Sequence, residues 1–253
     1  ALRRFFKSSI LKKFLILQLR PEKETADSEF KAILRVGGLK RSEVHRIRLE
    51  EGIPNIDLND YSAIIAGGSP FDICTKQENK SKVQKDIEAF FVDLFDRIVP
   101  ADFPFLGACS GNGHLGQYCG ATISNKYPEP IGSVDVTVTE AGSKDPLLKG
   151  LPKEFLALAG HKEACDEIPP HSVLLVTSKP CPVQMFRVKS NIYATQFHPE
   201  ADANEFIVRI HTYKNYGYFP PEEAEGLIKS LRNIKAPIPN EILKRFVARY
   251  RLT

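Results

Sequence analysis

FPFLGACSGNGHLGQYCGA, residues 103–121, predicts a strand, a tight turn and a helix in direct succession. The apolar run at 103–106 is typical of a short buried strand. It leads into residues 107–111, a G-x-C-x-G pentapeptide with the form of a nucleophile elbow in which cysteine replaces the usual serine. Such a turn is tight and strained, and the small residues on both sides of Cys109 fit it. We therefore predict that Cys109 stands at a helix N-terminus, where unpaired amides and the helix dipole favour a thiolate.

A second motif, QFHPE at 196–200, supplies a base for this cysteine. A nucleophilic cysteine of an intracellular protein needs a histidine from elsewhere in the chain. His198 ends a strand-like run, and Pro199 disfavours helical geometry there, so the chain stays extended. Residues two apart in an extended chain share a face, so Glu200 can orient the imidazole through one ring nitrogen while the other nitrogen faces the thiol. The predicted catalytic residues are Cys109, His198 and Glu200.

Together with a third motif, IIAGGSP at 64–70, these residues resemble the class I glutamine amidotransferases. The three motifs also follow the family's order along the chain. GHKE at 160–163 and PVQMFR at 182–187 are similar to the branch related to the amidotransferase domain of GMP synthase, here as a stand-alone chain. The resemblance covers roughly residues 13–201. It implies an α/β fold of the flavodoxin-like kind, with a mostly parallel central sheet and helices on both faces.

The resemblance also implies a reaction, the hydrolysis of the glutamine side-chain amide with release of ammonia. Cys109 would attack the amide carbon, His198 would protonate the leaving ammonia, and water would release glutamate from a γ-glutamyl thioester. The family's oxyanion donors correspond to the backbone N–H groups of Gly68 and Ser110. His161 is a candidate substrate-binding residue, and a surface or core histidine is an equal alternative. No cofactor is implied, and no histidine or cysteine spacing predicts a metal site.

One position departs from the family's pattern. The family usually has glutamine four residues after the nucleophile, where it helps to hold the substrate, and this chain has Gly113 there. Glycine offers no side chain for that contact, so Gly113 is a candidate substrate-binding position of altered chemistry. Either the substrate is held differently or it is not free glutamine. The sequence predicts weak binding of free glutamine by a protein that a partner or a larger γ-glutamyl substrate would activate.

Three classes of function therefore stay open. The chain could be a glutaminase subunit that delivers ammonia to a synthetase partner chain, because the sequence contains no P-loop and no second domain with an ATP site. It could instead be a free-standing hydrolase or transferase of another γ-glutamyl compound, which Gly113 favours. A catalytically silent binding protein on the same fold is the third alternative, and the intact Cys109, His198 and Glu200 argue against it.

Composition and charge argue against several other classes. The 253 residues include 35 basic and 31 acidic side chains, and a formal charge of +4 is too small to indicate nucleic-acid binding. The five cysteines form no CxxC pair and are odd in number, which favours a reducing, cytoplasmic setting. No apolar run approaches the roughly 20 residues of a membrane span, so we expect no membrane partner. The oligomeric state does not follow from the sequence.

The apolar pattern divides the chain into three parts. Residues 1–12 are basic with interleaved apolar residues, and an added N-terminal helix explains them better than a targeting peptide or a membrane-surface helix. Residues 13–201 form the predicted amidotransferase domain, in which strands and helices alternate at first and more antiparallel strands follow. Residues 202–253 are a helical C-terminal extension, whose last helix Asn240 can cap. Strands are predicted at 13–19, 46–49, 61–66, 103–106, 132–140, 173–177, 183–188 and 192–197, and helices at 28–36, 81–99 and 204–213.

Overall fold

The computed structural model describes residues 12–251, which contain eleven strands and seven α-helices joined by short 3-10 helices, turns and loops. The strands are β1 Lys13–Gln18, β2 Val44–Arg48, β3 Tyr61–Ala66, β4 Phe105–Ala108, β5 Ile123–Ser124, β6 Glu129–Val138, β7 Glu154–His161, β8 Ala164–Cys165, β9 Ser172–Thr177, β10 Met185–Val188 and β11 Ile192–Thr195. The helices are α1 Lys23–Gly37, α2 Lys82–Ala101, α3 Ser110–Tyr118, α4 Glu140–Lys144, α5 Ala203–Tyr213, α6 Ala224–Leu231 and α7 Pro237–Tyr250. None of these described helices has the length and apolar character needed to cross a membrane. The N-terminal extension predicted at 1–12 lies outside the described residues except for Lys12.

Nine of the strands form one mixed sheet in the order β2-β1-β3-β4-β11-β10-β9-β6-β7. The pairings from β2 to β11 are parallel, and those from β11 to β7 are antiparallel. The predicted parallel sheet is thus the first half, and the predicted change to antiparallel strands begins beyond β11. The α/β fold class is confirmed.

Helices cover both faces of the parallel half of the sheet. Side chains of β1 alternate between the faces, so Phe14 and Ile16 join one core while Leu15 and Leu17 join the other. The first core contains apolar residues of α1 and α7, and the second contains the aromatic stripe of α2. Burial on both faces explains why β1 is almost continuously apolar.

The C-terminal helices pack on this sheet and its helices. The apolar face of α7 joins the core that contains α1, through Ile242, Leu243, Phe246 and Val247. The predicted N-cap at Asn240 is wrong, because α7 begins three residues earlier with Pro237, a residue that suits the first turn of a helix. The Asn240 side chain instead donates to the carbonyl oxygens of Pro199 and Ala201, at 2.9 and 3.2 Å. The helical extension therefore holds the segment that follows His198, and the division at residue 202 stays a prediction.

The strand β7 is an element that the apolar pattern did not predict. Its sequence EFLALAGH begins with alternating burial and then has three successive buried residues at 157–159, so it matches no single period. It pairs with β6 at the antiparallel end of the sheet. Its last residues, Gly160 and His161, reach the cleft around Cys109.

The carboxyl ends of β1, β3, β4 and β11 lie next to one another along one edge of the sheet. Arg20 follows β1, Gly68 follows β3, Cys109 follows β4 and His198 follows β11. In open α/β sheets, ligands bind outside the carboxyl ends of the strands. This edge is therefore the candidate site.

Candidate active site

Cys109 occupies the turn between β4 and α3 in a strained backbone conformation. Its φ of 53° and ψ of −97° are unusual for a residue with a side chain. Its N–H donates to Thr195 O at 2.7 Å, and its carbonyl oxygen accepts from the N–H groups of Asn112 and Gly113 at 2.9 and 3.1 Å. These bonds hold the residue in a conformation that is otherwise costly. The backbone geometry is that of the predicted elbow.

His198 and Glu200 form a buried pair beside the elbow. The Nδ1 of His198 lies 2.8 Å from Glu200 Oε1, and both side chains are 3% exposed. A carboxylate only accepts hydrogen bonds, so Nδ1 is the donor. The same Oε1 also accepts a bond of 2.7 Å from Arg209 Nη2 on α5. Arg209 thereby holds the carboxylate oxygen that accepts the Nδ1–H of His198.

Burial decides the protonation of the cysteine and the histidine. It raises the pKa of the Cys109 thiol to about 11, against the opposing positive charges of Arg20 and Arg209. Burial, and then the charge of Arg209, lowers the pKa of His198 to about 4, although Glu200 acts in the other direction. At neutral pH Cys109 is therefore a thiol and His198 is a neutral imidazole. The expectation of a thiolate is wrong for this resting state, because desolvation outweighs the favourable helix start.

A second buried carboxylate, Glu29 on α1, lies behind the turn that follows β3. It accepts from Arg20 Nε at 2.8 Å and from the N–H of Gly68 at 3.3 Å. Arg20 also donates through Nη1 to the Tyr213 hydroxyl at 3.1 Å. Two arginines, Arg20 and Arg209, thus lie near the elbow, and each is only 4% exposed.

The two predicted oxyanion donors are placed differently. The N–H of Ser110 belongs to the first turn of α3, where N–H groups have no partner four residues earlier in the helix. The N–H of Gly68 faces the Glu29 carboxylate and must turn away from it before it can bind an oxyanion. Glycine is needed at position 68 because a Cβ there would lie 2.9 Å from His198 Cε1. Both oxyanion roles stay predictions.

Cys109 opens onto two adjoining pockets, which share Ser69, Cys109, Gly160 and Tyr218. The first pocket is lined on its own side by Asp72, Ile73, Gly113, Lys162, Glu163 and Gln196, among others. The second pocket is lined on its own side by Arg20, Ile131, His198, Phe206, Arg209 and Tyr213. The first pocket therefore carries charges of both signs, whereas the second carries the imidazole, two arginines and aromatic rings.

The wall of the first pocket is held together by polar contacts between two segments. Lys162 Nζ pairs with Asp72 Oδ2 at 2.6 Å, and the Glu163 carboxylate accepts from the N–H of Ile73 at 2.5 Å. The Ile73 side chain fills the space beside Gly113, where a Cβ would lie 2.6 Å from Ile73 Cδ1. The position at which the family usually has glutamine is thus occupied by an apolar side chain from another segment.

His161 lines the first pocket, but both of its ring nitrogens have partners within the protein. Nε2 lies 2.7 Å from Glu129 Oε2, and Nδ1 lies 3.0 Å from Glu163 O. A substrate would have to replace one of these partners, so the substrate-binding role stays a prediction. Glu129, His161 and Cys181 also place ligand-type atoms within 4.8 Å of one another, close enough to hold a metal ion. Gln184 Nε2 donates to the same Glu129 oxygen at 2.8 Å, and we keep the prediction of no metal.

A cysteine on a strained strand-to-helix turn, beside a buried histidine–carboxylate pair, places the chain among α/β proteins with a nucleophile elbow. The chain belongs to the class I glutamine amidotransferases, because the family model described as Glutamine amidotransferase class-I matches residues 24–211. This match covers most of the chain and includes Cys109, His198 and Glu200.

Among curated proteins, the chain is similar to one subunit of the glutamine-hydrolyzing GMP synthase of Thermoplasma volcanium. They are 31% identical over 134 residues, which is 52% of this chain and 63% of that protein. The chain therefore matches less than two thirds of this relative. The subunit of the same name from Pyrococcus abyssi is 28% identical over 155 residues, or 60% of this chain and 77% of that protein.

Solved structures show the same fold. A glutamine amidotransferase from Thermotoga maritima superposes with a TM-score of 0.74 at 18% identity, over 95% of this chain and 99% of that one. A glutamine amidotransferase from Methylobacillus flagellatus gives a TM-score of 0.70 at 18% identity, over 95% of this chain and 94% of that one. At this identity the likeness concerns the fold alone.

Three charged residues of the site were not predicted from the sequence, namely Arg20, Glu29 and Arg209. Arg20 comes directly after the apolar run of β1. A charged residue at the carboxyl end of a parallel strand indicates a place in the ligand site, so the sequence pattern could have identified Arg20. Arg209 lies on the buried face of α5 together with Phe206 and Ile210. A charged residue on the apolar face of an amphipathic helix indicates a buried ion pair or a ligand site, although the pattern does not identify its partner.

Proposed function

We propose that the chain hydrolyses the side-chain amide of glutamine and releases glutamate and ammonia. Cys109 attacks the amide carbon, and His198 takes the thiol proton and delivers it to the leaving nitrogen. Glu200 orients the imidazole and stabilises its charged form. The N–H groups of Gly68 and Ser110 stabilise the tetrahedral oxyanion, and water then cleaves the γ-glutamyl thioester.

The observation that carries this proposal is the strained Cys109 elbow beside the buried His198–Glu200 pair. With a pKa of about 4, His198 is neutral at physiological pH and free to accept a proton. Burial alone would raise the pKa of Glu200, but His198 and Arg209 lower it well below its ordinary value. An ionised Glu200 can therefore support the imidazolium that forms when the thiol loses its proton.

We infer a synthetase partner chain as the acceptor of the ammonia. The relatives from Thermoplasma volcanium and Pyrococcus abyssi are each named as one lettered subunit of GMP synthase, and such a name implies that a further subunit exists. A cytoplasmic setting is part of the same proposal. It is supported by the five cysteines, all of which are free thiols in the structure.

Glutamate and ammonia should be released from glutamine in equal amounts, with kcat/KM nearly constant between about pH 6 and pH 9. The physical reason is that His198 must be neutral to act as base, and its pKa is about 4. The thiol, with a pKa of about 11, stays protonated over the same range. Below about pH 5 the rate should fall as His198 becomes protonated. The measurement is ammonia and glutamate release across pH, with enzyme returned to pH 7 as a control for unfolding.

A different dependence of kcat/KM on pH would contradict the assignment of a neutral Cys109 thiol and a neutral His198 imidazole. If kcat/KM instead rises nearly tenfold per pH unit up to about pH 6 and levels off above about pH 7, His198 titrates near its ordinary pKa of about 6.5. Ammonia without glutamate, or neither product even with a synthetase partner present, would contradict the proposed reaction itself.

Gly113→Gln combined with Ile73→Ala should lower KM for glutamine by up to about tenfold. A glutamine side chain at this position can hydrogen-bond the substrate, and a neutral bond contributes about 0.5–1.5 kcal/mol. Ile73→Ala is needed because the new Cβ would otherwise lie 2.6 Å from Ile73 Cδ1. Steady-state kinetics on the wild type, both single variants and the double variant form a complete cycle.

The cycle separates the new hydrogen bond from the relief of crowding. Ile73→Ala alone is the matched control and should not lower KM. Gly113→Gln alone should bind glutamine less well than the double variant. If the wild type already saturates at low micromolar glutamine, another group supplies the contact and this account of Gly113 is wrong.

A further inference from the structure

The two pockets on either side of Cys109 must receive different parts of a substrate. The imidazole of His198 lines the second pocket and not the first. The group that protonates a departing nitrogen has to lie within hydrogen-bond reach of it. The leaving nitrogen therefore faces the second pocket, and the glutamyl group occupies the first.

The second pocket has a chemistry that ammonia alone does not require. Arg20 and Arg209 line it, each 4% exposed. Arg209 Nη2 is bonded to Glu200, while Arg209 Nη1 is buried and has no acceptor among residues 12–251. A guanidinium stays charged and can only donate hydrogen bonds, so its natural partner is an anionic oxygen. Ammonia offers no such oxygen.

Apart from Ser69, Cys109 and Gly160, the remainder of the second pocket is apolar or aromatic. Ile131, Phe206 and Tyr213 line it together with Tyr218, which lies between the two pockets. These side chains can contact the carbon atoms of a leaving group larger than ammonia. An apolar pocket with a few convergent polar groups is typical of a small-molecule site.

We propose that the second pocket binds the leaving group of a γ-glutamyl amide whose amine carries a carboxylate, that is, a γ-glutamyl amino acid or short γ-glutamyl peptide. Arg209 Nη1 binds the carboxylate, and Arg20, which is itself paired with Glu29 at 2.8 Å, lines the same pocket. This inference rests on the proposed function, because it uses Cys109 and His198 in the same roles. It extends the substrate from glutamine to γ-glutamyl compounds with an acidic leaving amine.

The reaction balances with water as the only co-reactant. Cys109 Sγ forms a bond to the γ-carbonyl carbon, and the thiol proton passes to His198. The C–N bond breaks as His198 gives that proton to the nitrogen, which leaves as the free amino acid. Water adds to the γ-glutamyl thioester, glutamate leaves and the thiol is regenerated.

The test compares γ-glutamylglycine with γ-glutamylglycinamide, which has nearly the same size and lacks the carboxylate. Wild-type enzyme should hydrolyse γ-glutamylglycine with a kcat/KM about tenfold or more higher, since hydrogen bonds to charged groups are the stronger kind. The kcat/KM for glutamine, measured in parallel, should be lower than that for γ-glutamylglycine. Glutamate release, measured by mass spectrometry, serves for all three substrates.

Two variants show whether Arg209 is the source of the preference. Arg209→Leu also disturbs Glu200, so its absolute rates will fall, but the ratio between the two dipeptide substrates should drop to near one. Glu200→Gln is the matched control, because it weakens the histidine pair and keeps the guanidinium. Its rates should fall while the ratio is preserved. If Arg209→Leu does not fold, the ratio of the two kcat/KM values in the wild type still tests whether the enzyme prefers a leaving amine with a carboxylate.

The outcomes separate this inference from the proposed function. Equal kcat/KM for γ-glutamylglycine and γ-glutamylglycinamide would overturn the carboxylate site and leave glutamine hydrolysis intact. A ratio that survives in soluble Arg209→Leu would also overturn it. If Cys109→Ala still hydrolyses glutamine, the proposed function fails, whatever the substrate ratio.

Discussion

Cys109→Ala is expected to abolish glutamine hydrolysis, with a loss on the order of 10⁴-fold or more in kcat. The variant removes the atom that forms the thioester in the proposed reaction, and alanine offers no nucleophile in its place. The fold should survive, because alanine keeps the Cβ and meets the same backbone conformation, with φ of 53°, as cysteine does. Ammonia release and thermal unfolding of the two proteins are the measurements. Retained hydrolysis by Cys109→Ala would remove the elbow from the mechanism.

A diazo-ketone analogue of glutamine should label the wild type once, at Cys109. The label must be located by fragmentation, because trypsin leaves Cys109 and Cys119 on one peptide, residues 98–126. Cys119→Ala is the matched control and should be labelled as fast as the wild type. Label on Cys119 or on the exposed Cys74, with Cys109 untouched, would contradict the assignment.

Selective labelling of Cys109 would report the position of its thiol in the site rather than a higher intrinsic reactivity of that thiol. Burial raises the pKa of Cys119 to about 11, the same value as for Cys109. Two thiols with equal pKa differ little in thiolate content, and thiolate content largely governs the reactivity of a free thiol. Selective reaction of Cys109 would therefore come from binding of the analogue and from the neighbouring base.

The parts of the site that could be predicted from the sequence depend on short local patterns. The strand at 61–66 has the observed bounds of β3, and the turn around Cys109 follows from residues that only a tight turn requires. The 2.8 Å contact between His198 and Glu200 was predicted from an extended chain across Pro199, and the contact is present although that geometry is wrong. Residues 199–200 form a turn, in which the N–H of Ala201 donates to His198 O at 3.3 Å. Each of these features is fixed by neighbours within a few residues.

The parts that could not be predicted depend on contacts between distant segments. Arg20 follows β1 and Arg209 lies on α5, and neither position forms a motif with Cys109. The apolar Ile73 lies beside Gly113 only because the chain after β3 folds over α3. The protonation of Cys109 was also predicted wrongly, since a sequence pattern reveals the helix start but not the burial that opposes it.

His198→Ala should lower kcat for glutamine by about 10²–10⁴-fold, and Glu200→Gln should lower it by less. Alanine leaves no group to carry the proton between the thiol and the leaving nitrogen. Glutamine can still accept the Nδ1–H bond, but it supplies no negative charge for the imidazolium. Steady-state kinetics and single-turnover labelling of both variants give the comparison, with Glu241→Gln on α7 as the matched control.

The pH profile of Glu200→Gln gives a sharper test, because the sign of the shift is fixed by the structure. The charge of Glu200 raises the pKa of His198, against burial and Arg209, which lower it to about 4. Removing that charge should move the acid limb of kcat/KM to lower pH, since His198 then stays neutral further into the acid range. Its weaker basicity should at the same time lower the plateau. An acid limb of Glu200→Gln that moves to higher pH would show that Glu200 is not the group coupled to His198. Unchanged ammonia release by His198→Ala would show that the histidine takes no part in the reaction.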